Sequence, residues 1–133
     1  MERRAMASEK KCSAVIRAGR LAKSQQFLLG AKTIAAIIDD EAISDAYVTL
    51  CIHAGIAAAD VICCAKLGVH SNSENHNAAV SLLRKIDDKL AKNLETLLKM
   101  KTQSGYGSVL TGAAEQKRAG RAATFLVEAA ERV

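Results

Sequence analysis

From Ala46 to Ala59 the chain carries no Asp, Glu, Lys or Arg. The apolar residues go on past that run: Tyr47, Val48, Leu50, Cys51, Ile52, Ile56, Val61 and Ile62 leave no wide polar face on a 3.6-residue period. A helix that is apolar nearly all round has to be covered on most sides. The pattern predicts a helix from Ile43 to Leu67, with Gly68 as its stop, lying at the centre of a bundle or in a subunit interface. Gly55, Ala58 and Ala59 would let a neighbouring helix come close. The uncharged run is too short for a membrane span and contains His53.

The rest of the chain supplies covering helices. Phe27, Ala31, Ile34, Ala35 and Ile38 form one stripe of a first helix over residues 11–38. Ala79, Leu82, Leu83 and Ile86 mark a short third helix, after a loop from Gly68 to Ser73 and a Ser71–Glu74 capping box. Leu90, Leu94, Leu97 and Leu98 mark a fourth helix from Asp87–Asp88 to Thr102, followed by a glycine-rich turn over Ser104–Ser108. Ala119, Ala122, Ala123, Leu126 and Ala130 mark a fifth, from Gly112 to Arg132 with Thr111 as N-cap. Alanine makes up 25 of 133 residues and proline is absent. That composition excludes collagen and disorder and argues against an all-β domain. The expectation is an all-α, antiparallel four- to five-helix bundle: one domain over 11–133 behind a flexible tail over 1–10.

Net charge is +5, placed unevenly. Residues 1–38 sum to +6, residues 39–67 to −4, and the remainder to +3. Such asymmetry permits an anionic partner and is equally served by pairing within the molecule or between subunits. Cys12, Cys51, Cys63 and Cys64 form no Cys-x-x-Cys pair. They read as reduced core thiols of a cytoplasmic protein without a signal peptide.

Few residues invite chemistry. His53, Asp60 and Cys64 fall on one face of the second helix; the plain reading is buried polar groups satisfied within the bundle. An ionised Asp60 there needs a partner, Arg84 or a residue of the first helix. His70 and His76 bracket a polar loop that suits a metal or phosphate, and equally a solvated cap. Arg17, Arg20 and Lys23 form a basic ridge that can track phosphates or simply face water. Lys101, Gln103 and Tyr106 cluster at the end of the fourth helix. No metal or cofactor set is apparent.

The order "HAGIAAADVICCAKLG", "SENHNAAVSLL", "LLKMKTQSGYG", within Tyr47–Val127, resembles the HEPN superfamily of small helical bundles, above all its compact bacterial stand-alone members. That group includes RNA-cleaving toxins and partners of minimal nucleotidyltransferases. Its nuclease signature is a basic residue followed four to six residues later by His, often with a Tyr after it. Lys101 stands at the basic position and Tyr106 keeps the Tyr, but Gly105 replaces the His and cannot move a proton. The resemblance implies a non-catalytic homodimer contacting RNA, a nucleotide or a partner protein through Lys101, Gln103 and Tyr106, with no assigned catalytic residue. The alternatives are a metal-independent ribonuclease toxin and a nucleotidyltransferase-associated interaction module.

Overall fold

A computed structural model describes residues 9–38, 40–72 and 76–133. Five α-helices account for most of them: α1 (Ala14–Ile37), α2 (Ser44–Leu67), α3 (His76–Arg84), α4 (Asp88–Tyr106) and α5 (Ala113–Arg132). A single 3-10 turn over Asp40–Ile43 joins α1 to α2. The fold class is therefore mostly helical, as expected, with one addition. Glu9–Lys11 and Val69–Ser71 form short strands, β1 and β2, paired antiparallel with Glu9 opposite Ser71, Lys10 opposite His70 and Lys11 opposite Val69. Residues 9 and 10 thus do not belong to a free tail, and the expected loop after Gly68 is in part a strand. The remainder of the tail lies outside the described residues.

Helix α2 is the centre. It packs on α1, α3, α4 and α5. Its buried set runs along every side, from Val48 and Cys51 through Ala57, Ala58 and Ala59 to Ile62 and Cys63. Residues Glu41–Leu67 are long and apolar enough to cross a membrane by composition alone, but 78% of the qualifying window is buried inside the protein. At Gly68, φ is +74°, the left-handed conformation that ends a helix at little cost only for glycine.

Gly55 sits where α2, α4 and α5 meet. A Cβ there would collide with Leu97 Cδ1 and approach Leu126 Cδ1 to 3.3 Å. Both leucines are fully buried, so they must shift against packed neighbours. Gly55→Ala should therefore lose stability despite its better helix propensity. Overpacking costs about 1–3 kcal/mol against a gain of about 1 kcal/mol. A fall in Tm of up to roughly 7 °C is expected by calorimetry, and a higher Tm would refute this packing argument.

Local chemistry moves several boundaries. Helix α1 starts at Ala14, because the Ser13 side chain accepts from the Ile16 N–H and caps it. Asp87 caps α4 by accepting from the Lys89 N–H. Helix α4 runs on to Tyr106, four residues past the expected end, and Gly105 lies inside it. The cost of one glycine, about 1 kcal/mol, does not stop a helix that its leucines anchor. Thr111 is not an N-cap. Its N–H and hydroxyl both donate to Asp45 Oδ1, tying the α4–α5 connection to the first turn of α2. Ser71 lies in β2, and Glu74, the other half of the expected capping box, lies outside the described residues.

The cysteines divide. Cys12 and Cys64 form a disulfide, which corrects the expectation that all four are reduced. Cys51 and Cys63 are buried thiols whose pKa values burial pushes up to about 12; the Asp60 and Glu9 charges add to the effect at Cys63.

Candidate functional site

Six elements converge on one cavity of about 380 Å³. Helix α2 contributes His53, Ile56 and Asp60, spaced so that they share a face. Helix α1 contributes Arg20, β1 contributes Lys10, and β2 contributes His70 and Ser71. His76 enters from the first turn of α3, and Lys101 from α4. A second, smaller cavity of about 150 Å³ shares His53 and Lys101 and adds Thr49, Ile52, Ser104, Gly105 and Tyr106. His53 and Lys101 therefore stand on the wall between two hollows.

Among the described residues, Asp60 is the only carboxylate lining the larger cavity. Its side chain is 10% exposed, and Arg20 Nε donates to its Oδ2 at 2.8 Å. The partner from the first helix is thus found. Arg84 instead faces Asp88 and Glu95, at 3.4 and 3.7 Å. His70 Nδ1 lies 3.9 Å from Asp60 Oδ1 and 2.9 Å from the Ser71 carbonyl oxygen. A carbonyl only accepts, so Nδ1 carries a proton and donates to it. Burial still pushes the Asp60 carboxyl above its ordinary range, with Arg20 and His70 pulling it back down. A pKa raised in the folded state means that the protonated form favours folding. That contribution is full below about pH 3.8 and is lost as pH rises through the folded value.

His76 is the unsatisfied member. Its Nδ1 is buried and has no hydrogen-bond partner among the described residues. Desolvation lowers its pKa, and the charges of Lys101, His53 and Arg20 lower it further. It is mostly neutral at pH 7, and its contribution to stability is lost as pH falls from about 6.5 toward its depressed value. The local field is cationic, since Lys10, Arg20 and Lys101 face one carboxylate that Arg20 already holds. Among the described residues no group of three or more His, Cys, Asp or Glu could hold a metal ion.

The expected site residues separate. Lys101 and Tyr106 line the joined cavities, Lys101 both and Tyr106 the smaller. Tyr106 is 84% exposed at the rim. Gln103 lines neither and is exposed elsewhere on α4. Asp60 is buried as expected, but His53 is not: it is exposed at the cavity wall, with its ring tilted 34° to Phe27 at a centroid distance of 5.3 Å. The basic ridge is broken up. Arg20 turns in to Asp60, while Arg17 donates to the Val133 carbonyl oxygen at 2.9 Å. Lys10 was missed, because nothing in a polar amino-terminal segment signals that it pairs with β2. Neither known protein families nor curated proteins give a match to this chain, so the site is read from its own residues.

Proposed function

We propose that this cavity binds the phosphate groups of RNA or of a nucleotide, and that the protein is a HEPN-like binding protein of the cytoplasm. The observation that carries the reading is the lining: among the described residues, three cationic side chains and three imidazoles share one hollow with a single carboxylate that Arg20 already pairs with. An anion placed there gains charge-assisted hydrogen bonds and gives the buried His76 Nδ1 a reason to protonate and donate. Tyr106 at the rim of the adjoining hollow offers a ring on which a base can stack.

Fluorescence polarisation with a labelled oligo(U) hexamer tests this. Lys101 is shared by both hollows, so Lys101→Ala should weaken binding about tenfold, the scale of losing one hydrogen bond to a charged group. Loss of equal size in Lys99→Ala, on the far side of α4 where Lys99 meets Glu95 at 3.7 Å, would reduce the reading to non-specific surface charge.

One observation favours a second reading, the metal-independent ribonuclease. Gly105 cannot move a proton, but His53 lines the same hollow as Gly105 and Lys101, and His76 stands in the adjoining one. Two imidazoles beside a cation form the set that general acid–base cleavage of a phosphodiester needs. The hexamer's integrity on a gel decides between binding and turnover. Turnover abolished by His53→Ala would make the protein an enzyme; an intact strand leaves it a binder.

Homodimer formation belongs to the same proposal, with a changed surface. Helix α2 is covered within one chain, and the exposed apolar side chains Val15, Leu29 and Ile37 lie on α1 instead. Light scattering should report twice the 14.1 kDa chain mass, and a monomer at micromolar concentration would remove this part.

A further inference from the structure

We propose that the Cys12–Cys64 disulfide is a redox latch: it holds β1, and Lys10 with it, as one wall of the cationic cavity, and its reduction by a dithiol opens that wall. The effect on anion affinity rests on the phosphate reading above; the opening itself does not.

Among the described residues β1 is held by its short ladder with β2, an interaction at Glu9, the hydrogen bond at Cys12 and the disulfide, which is the one covalent anchor among them. The strand is three residues long and pairs only with β2, in a two-stranded sheet that is marginal by itself. Its side chains are half-buried at Glu9 and exposed at Lys10 and Lys11, so it buries almost no apolar surface. Beyond the ladder, the Cys12 N–H donates to the Gly68 carbonyl oxygen at 3.1 Å. The disulfide sits immediately after the strand and fastens it to the last turn of α2. The pivot is also in place. Ser13 is extended, with φ −119° and ψ 166°, and caps α1 independently of β1. Segment 9–12 can swing away about Ser13 while α1 stays helical.

What the segment covers is the chemistry of the cavity. Lys10 stands opposite His70, and Ser71 opposite Glu9. Both β2 residues line the cavity beside Asp60. Swinging β1 away removes one of the three cations and wets the Asp60–His70 contact.

The exchange chemistry is directed. A dithiol's thiolate attacks Cys12 Sγ, which belongs to a half-buried residue, whereas Cys64 is buried. The Cys12–Cys64 bond breaks, and the Cys64 thiolate leaves and takes up a proton. The second thiol of the reductant then attacks the mixed disulfide, releasing the Cys12 thiolate, which is protonated in turn, and leaving as a cyclic disulfide. Two electrons and two protons pass from dithiol to protein. Scrambling within the chain is suppressed, because Cys63, next to Cys64, and Cys51 are buried and held as thiols rather than thiolates. In a reducing compartment a disulfide of this kind is transient and sensing rather than structural.

The test is amide hydrogen exchange on the full chain, oxidised and after dithiothreitol, with diethyl pyrocarbonate labelling of His70 and calorimetry with inorganic pyrophosphate. Reduction should speed exchange of the Cys12 amide at least tenfold and raise His70 labelling, with Ala57–Ile62 remaining the slower-exchanging amides. Equal protection of the Cys12 amide in both states would overturn the latch. So would identical pyrophosphate affinity in both states of a protein that binds it. Because Cys12→Ser also removes the cross-link's stabilisation, Lys10→Ala with the disulfide intact is the second variant. It should weaken pyrophosphate binding three- to tenfold, as reduction does in the wild type, and reduction should then add little. Absence of pyrophosphate binding in either state would defeat the phosphate reading, and the exchange data alone would then decide the latch.

Discussion

Reduction of the Cys12–Cys64 bond should lower the free energy of unfolding by about 4 kcal/mol, more than any single side-chain substitution proposed for this chain. The bond closes a loop of 52 residues that contains all of α1 and most of α2. In the chain-entropy account, a cross-link of that span removes about 4 kcal/mol of freedom from the unfolded state. At roughly 2.1 cal/mol/K per residue of unfolding entropy, the 133-residue chain should melt about 14 °C lower after reduction. The fold should survive, because α2 keeps its packing on α1, α4 and α5 whether or not the bond is present. Thermal melts followed by far-ultraviolet circular dichroism, with and without reductant, check this. A Tm that does not move would mean that Cys12 and Cys64 are not bonded in solution.

Asp60→Ala should be the most damaging charge removal, at about 3 kcal/mol. Breaking a buried ion pair usually costs about 3–5 kcal/mol, because the surviving charge is left without a partner. Arg20 is 29% exposed and can hydrate part of its guanidinium, which places the loss at the lower end. The corresponding fall in Tm is about 10 °C. Asp60→Asn should lose less than half as much. An amide oxygen can still accept from Arg20 Nε, and burial already disfavours the ionised carboxylate. An Asn variant as unstable as the Ala variant would show that the full negative charge, and not the hydrogen bond, holds α1 to α2 at this point.

The central helix was legible because its signal is local. An apolar surface all round α2 admits one placement, and Gly68 marks its end by a conformation that other residues resist. The stripes of α4 and α5 were legible for the same reason. Asp60's need for a partner was legible too, since a carboxylate among alanines and isoleucines cannot stand alone. Long-range geometry was not. Cys12 and Cys64 are far apart in sequence, and long-range pairing of β1 with β2 and of α1 with α2 brings them together. His70 and His76 read as loop residues, because nothing local says that β2 and α3 turn them back toward His53 and Lys101. Gln103 and Tyr106 look equivalent in sequence and lie within about 60° of each other around α4, yet only Tyr106, at the helix end, lines the cavity. The Thr111–Asp45 contact joins residues 66 apart and left no trace in the pattern.

If the cavity is an anion site, its most responsive group is His76, which lacks a partner for Nδ1 among the described residues and faces Lys101, His53 and Arg20 from three different helices. Lys10 of β1 and His70 of β2 complete the cationic surround, and Asp60 is occupied by Arg20. An anion placed among them would reverse the local field and favour imidazolium. The direct measurement is the titration of the three histidine rings by nuclear magnetic resonance between pH 5 and 8, with and without inorganic pyrophosphate. His76 should titrate below its ordinary value in the free protein and move up when pyrophosphate is present, with affinity greater at pH 6 than at pH 8. A His76 titration that pyrophosphate leaves in place, at concentrations well above those of other phosphate-binding sites, would contradict the anion-site reading.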